Sequence, residues 1–111
     1  PAGEEERTQL SQRTEAAAPL AADQGQAFAQ AQEADRKLGL IYTRLRSRLT
    51  TSGKTQLKQQ QLKWLKFRAS QIGSDELLSQ GMSANTAALR RFTELNEQRA
   101  SQLEITLQSM H

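Results

Sequence analysis

Residues 28–72 read FAQAQEADRKLGLIYTRLRSRLTTSGKTQLKQQQLKWLKFRASQI, and this stretch decides the fold. Phe28, Ala31, Asp35, Leu38, Tyr42, Leu45 and Leu49 recur at alternating spacings of three and four. That is the period of one helix face, so a long helix is expected over about 20–51. Gly53 then stands where a helix C-terminus favours glycine. Leu57, Gln61, Trp64, Arg68 and Ile72 repeat the period, which gives a second helix over about 54–72, its apolar face widened by Leu62, Leu65 and Phe67. So short a turn makes the two helices antiparallel neighbours. In that register Leu49 faces Leu57, Leu45 faces Gln61 and Tyr42 meets Trp64, while Asp35 comes within reach of Arg68.

Working outward, Gly73 and Ser74 read as a stop and a new start, residues 75–80 as one short turn ended by Gly81, and Ser83 as the N-cap of a last helix over about 84–110. The seam of that helix is Leu89, Phe92, Asn96, Arg99, Leu103 and Leu107. Upstream, Pro19 reads as a break or as a first helical position. Residues 1–18 read as a loosely docked helix or a disordered arm, anchored at most by Leu10 and Ala16 to Ala18. The expected architecture is all-α: an antiparallel bundle of three long helices in one domain over 19–111. The chain is rich in helix-forming residues, and no run alternates as a strand would.

The 111 residues suit one domain. A chain of this size buries roughly two-thirds of its unfolded surface, with no room for a large enclosed pocket. No apolar run is long enough to span a membrane. The chain begins at Pro1 and not Met, so it reads as either a processed or a trimmed protein, with any leader out of view. Cysteine is absent and the single histidine is His111, so serine–histidine and cysteine–histidine nucleophiles cannot be assembled. Gly53-Lys54-Thr55 is the tail of a phosphate-binding loop, but Arg48 stands where that loop needs glycine, and no strand precedes it. Glu94 and Glu97 read as a solvated pair. The expectation is a protein that is not an enzyme and has no cofactor or metal.

Charge is segregated. Residues 1–35 carry two bases and seven acids, residues 36–68 ten bases and no acid, and residues 69–111 three bases and five acids, which sums to +3. Arg44, Arg48, Lys54, Lys58, Lys63 and Lys66 form the candidate basic surface. It reads either as a solvated face neutralised within the fold or as a site for a peripheral anionic surface. Aromatic side chains do not interleave these bases, which argues against nucleic acid. Polar residues inside the seams (Asp35, Gln61, Arg68, Asn96, Arg99) read either as a buried network fixing helix register or as the lining of a partner surface. Gly39, mid-helix, reads as a point of close helix approach or as drift at an exposed position.

Three motifs carry a resemblance: Ala34-Asp35-Arg36-Lys37-Leu38 followed by Tyr42 and Leu45; Gln61-Leu62-Lys63-Trp64-Leu65-Lys66-Phe67-Arg68; and Asn96-Glu97-Gln98-Arg99 followed by Leu103. Over about 34–103 the chain resembles the LprI-like lysozyme inhibitor family of bacteria. The resemblance implies a helical, non-catalytic, periplasmic or secreted protein with a protein partner, lysozyme among the candidates. It also implies that Asp35, Leu38, Tyr42, Gln61, Trp64, Phe67, Arg68 and Arg99 are family-motif residues with mostly structural work. An inhibitor can place a cation between lysozyme's two active-site carboxylates, from the loop at 50–54 or that at 73–83. The remaining expectation is a helical adaptor or anionic-surface binder using the basic 36–68 hairpin. Where the family pattern has Asn, an acid and cysteine, this chain has Gly39, Ala69 and Ile72; the other family cysteines fall near Gln26 and within 87–91.

Overall fold

The computed structural model describes residues 2–74 and 76–110, with side chains described for these except 2–22, 82 and 83. Helix α1 (Ala2–Ser47) is followed by α2 (Thr51–Ile72), a 3-10 segment (Leu77–Ser83) and α3 (Thr86–Gln108). The expected all-α bundle of three helices is the fold. Its members run up, down and up: successive helices are antiparallel, which leaves α1 and α3 parallel. The expected anchors at Leu10 and Ala16 to Ala18 lie outside the described side chains, and His111 lies outside the described residues.

Several boundaries differ from the sequence expectation. α1 starts upstream of Pro19, in a run of Ala, Glu and Gln that favours helix. α1 also ends at Ser47 rather than near 51, and Gly53 is not its cap. Thr50 caps α2 instead, its Oγ1 accepting the Gly53 N–H at 3.2 Å. Gly53 therefore sits in the first turn of α2. It is small for packing reasons, since a Cβ there would stand 3.2 Å from Leu49 Cβ. At the other end, Asn85 and not Ser83 caps α3, accepting the Ala88 N–H at 3.1 Å. Ala84 is extended and fully buried, and its carbonyl accepts from Gln24 Nε2 at 3.1 Å, which holds it out of the helix.

The tightest pairing is α1 with α3, whereas the sequence points to the α1–α2 hairpin. Side-chain size explains this. α1 presents Ala27, Ala31 and Ala34 to the core and α3 presents Ala100, all buried, so these two backbones approach closely. α2 faces inward with Gln61, Trp64 and Arg68, whose bulk holds it further from α1.

Two apolar clusters result. One gathers Ala27, Ala31, Leu77, Ala84, Leu89 and Phe92, with Phe28 and Ile72 against it. The other, nearer the α1–α2 turn, gathers Leu38, Leu45, Leu57, Ala100 and Leu103, with Tyr42, Leu49 and Trp64 against it. Tyr42 and Trp64 thus share a cluster, as the hairpin register requires. Gly39 is exposed, and a Cβ added there would meet nothing within 4 Å, so no helix approaches it closely. Among the described residues, no helix is long and apolar enough to cross a membrane.

Candidate functional site

Between the two apolar clusters lies a polar layer to which each helix contributes one polar side chain. Arg68 of α2 is 13% exposed at its side chain. Its guanidinium lies over the Trp64 ring at 5.0 Å and over the Phe92 ring at 4.4 Å. Trp64 precedes it by one helical turn and Phe92 faces it from α3, so the cation is held between two π faces. Nη1 donates to Asn96 Oδ1 at 2.9 Å and stands 3.7 Å from Asp35 Oδ1. Asn96 has no exposed surface, and its Nδ2 donates to Asp35 Oδ1 at 3.4 Å. Asp35, Arg68 and Asn96 therefore close a triangle across α1, α2 and α3. Burial draws the Arg68 guanidinium below its ordinary pKa, and the Asp35 carboxylate draws it partly back.

One to two turns nearer the α1–α2 turn lies a second layer. Arg99 Nε donates to Gln61 Oε1 at 3.0 Å, and Nη1 donates to Gln102 Oε1 at 3.3 Å. Arg99 Nη2 is buried and makes no hydrogen bond among the described residues. Burial lowers this guanidinium too, while Tyr42 acts in the opposite sense. The five polar seam residues expected from the sequence are thus gathered into two adjacent layers.

Alongside the triangle, Asp35, Arg68, Glu76, Leu77, Leu78, Ser79 and Phe92 line an open cleft of about 390 Å³. The 3-10 segment forms its rim. The Asp35 side chain is half exposed there, so one face of the triangle meets solvent. Among the described residues, no group of three or more His, Cys, Asp or Glu side chains is placed to hold a metal.

The basic residues lie elsewhere. Arg44, Arg46, Arg48, Lys58, Lys63 and Lys66 are exposed and Lys54 is half-buried. The ion pairs of the described residues join Arg36 to Glu33, Arg68 to Asp35, Arg90 to Asp23 and Arg91 to Glu94. None of the bases over 44–66 takes part, so no direct pairing among the described residues neutralises that end of the fold.

A family model described as lysozyme inhibitor LprI matches residues 12–103. The chain belongs to the LprI lysozyme inhibitor family. No curated protein and no solved structure matches it. Within this LprI-family chain, Leu38 is buried, Tyr42, Gln61, Trp64, Arg68 and Arg99 are half-buried, and Phe67 is 47% exposed. Ile72 packs against the apolar cluster that holds Ala27 and Leu89.

Some participants leave little mark in the sequence. Phe92 stands there as an apolar seam residue, and its seat over Arg68 needs the α2–α3 register, which no local signal supplies. Gln71 accepts from Arg91 Nη2 at 3.3 Å, and Arg90 pairs with Asp23 across α1 and α3. Surface pairs of that kind leave no periodic trace.

Proposed function

We propose that this LprI-family chain is an exported, non-catalytic protein of the periplasm or cell envelope that binds a lysozyme-class enzyme and blocks its cleft. The observation that carries the reading is the family match over residues 12–103. In this reading Asp35, Leu38, Tyr42, Gln61, Trp64, Arg68 and Arg99 build the scaffold, and surface residues meet the enzyme.

Chemistry narrows where the contact lies. Lysozyme works with two carboxylates flanking the scissile bond, so a cation presented on a narrow protrusion suits its cleft. The turn between α1 and α2 stands at one end of the bundle. Arg48 sits in it, exposed and without an ion-pair partner among the described residues. The test is clearing of a cell-wall suspension by several lysozyme types with and without purified protein. Inhibition at micromolar protein is expected with at least one type, weakened by Arg48→Glu. No inhibition of any type would remove the reading. Inhibition that ignores Arg48→Glu would move the contact to the rim over 73–83.

A further inference from the structure

The outer face of α2 has a composition that neither the bundle nor lysozyme binding explains. Two neighbouring rows at i, i+4 spacing point away from the core. One runs Lys58, Leu62, Lys66 and the other Gln59, Lys63, Phe67. Leu62 is 50% exposed and Phe67 47%, two of the four large apolar side chains most exposed on the described surface. Lys58, Lys63 and Lys66 are exposed and make no ion pair or hydrogen bond among the described residues. There is no acid anywhere in α2, nor in α1 after Asp35. Arg46 and Arg48, close to the α1–α2 turn, are exposed bases as well.

Large apolar groups among unpaired lysines are costly on a face that meets only water. Half-exposed Leu and Phe forfeit burial, and like charges at i, i+3 and i, i+4 (Lys63 and Lys66, Lys54 and Lys58) repel. Both features become favourable on an anionic bilayer. Leu62 and Phe67 enter the headgroup–acyl boundary, while the lysines extend past them to the headgroup phosphates. A soluble polyanion would answer the charge but leave Leu62 and Phe67 in water, so charge complementarity and the apolar pair together select lipid.

We propose that the outer face of α2, through Lys58, Leu62, Lys63, Lys66 and Phe67, docks the protein on membranes bearing anionic phospholipid headgroups. The helix lies along the surface and does not enter the hydrocarbon core. The five docking residues do not include Arg48, so this docking is tested separately from lysozyme inhibition.

The experiment is flotation of the full chain with vesicles of phosphatidylcholine alone and of phosphatidylcholine mixed with phosphatidylglycerol, at low and at physiological salt. Binding to the mixed vesicles only, weakened by salt, is expected. Each lysine neutralised should lower partitioning roughly fivefold near the surface. Lys58→Glu/Lys63→Glu/Lys66→Glu should therefore abolish flotation, and Leu62→Ser/Phe67→Ser should reduce it roughly tenfold. All five positions lie on the exposed face, and far-UV circular dichroism with Trp64 emission checks that each variant stays folded. Absence of flotation at low salt overturns the proposal. So does flotation untouched by the charge reversals. Strong retention on heparin combined with vesicle binding insensitive to Leu62→Ser/Phe67→Ser assigns the face to soluble polyanions and equally overturns it.

Discussion

Asn96→Ala isolates the polar layer from the apolar clusters around it. Asn96 is fully buried, accepts a charged hydrogen bond from Arg68 at 2.9 Å and donates a long one to Asp35 at 3.4 Å. Losing the first leaves a guanidinium N–H without an acceptor where the side chain is 13% exposed. Hydrogen bonds to charged groups contribute about 1.5–3 kcal/mol, and the unfilled amide volume adds a fraction of that. The Asp35 contact adds little, because that carboxylate is half exposed and is hydrated on its own. The expected loss is therefore about 2–4 kcal/mol, a large share of the roughly 5–15 kcal/mol that holds a domain folded.

A cycle with Arg68→Met sharpens the test. Met keeps an apolar stem between Trp64 and Phe92 but removes the charge, leaving Asn96 Oδ1 bare; the single variant should cost about 1–3 kcal/mol. In the double variant neither side is orphaned, so the losses should fall short of their sum by about 1–3 kcal/mol. Urea unfolding followed by circular dichroism and by Trp64 emission reads all four states. If Asn96→Ala costs under about 0.5 kcal/mol, the level of an ordinary surface change, the triangle is not a structural element. Strict additivity would mean that Arg68 and Asn96 act apart.

Gly39→Ala should stabilise the protein by about 0.5–1 kcal/mol, since Gly39 is exposed, mid-helix, and has open space around it; a lower thermal midpoint would contradict this. Gly73 ends α2 at φ 72°, a backbone conformation in which a Cβ is strained. Gly73→Ala should therefore cost about 1 kcal/mol, seen as a lower thermal midpoint. Asn85→Ala should cost about 1 kcal/mol through loss of the α3 cap, read as a lower urea midpoint with unchanged slope. Glu33 lies below its ordinary value of 4.5, chiefly through its hydrogen bond from Arg36. The folded chain then binds fewer protons at this site than the unfolded one, so the stabilisation is complete above 4.5 and disappears as pH falls through the lowered value. A carboxyl titration by NMR should show Glu33 protonating late, and Arg36→Gln should return it to its ordinary range.

Periodicity makes much of this fold legible. The seam of Phe28 to Leu49 and that of Leu57 to Ile72 set two helices, and the polar interruptions at Asp35, Gln61, Arg68, Asn96 and Arg99 announce a layer that must pair internally. The Asp35–Arg68 contact follows from aligning the two seams across a short turn. What stays hidden depends on distances between helices. Ala27, Ala31 and Ala34 are weak core residues by composition, yet their small size is what brings α1 closest to α3. Gly53 and Ser83 match local cap signals that Thr50 and Asn85 satisfy instead, because Gly53 answers the crowding of Leu49 and Ala84 must stay extended to fill the core. The contact surface for a partner leaves no signal of comparable strength, since exposed bases carry no period that separates recognition from solvation.

The alanine seam explains why a polar layer is worth its desolvation. Ala27, Ala31 and Ala34 are buried one after another at intervals of about one helical turn. Sliding α1 along α3 by one turn, about 5.4 Å, replaces alanine with alanine at two of these three positions and brings Leu38 to the place of Ala34. Over the alanine stretch itself, apolar burial distinguishes the two registers little. The triangle does distinguish them, because the slide carries Asp35 a full turn from Asn96 and Arg68 and leaves the part-buried guanidinium without its carboxylate. Cysteine pairs would fix the register covalently, and this chain has none. The Asp35–Arg68–Asn96 triangle ties all three helices at one level, and the Gln61–Arg99 bond repeats the tie between α2 and α3 one to two turns away. Replacing the triangle by apolar residues of matched volume should therefore preserve helix content while broadening the unfolding transition and dispersing the backbone amide spectrum less. A sharp transition with a single well-dispersed spectrum in that variant would show that the alanines alone hold the register.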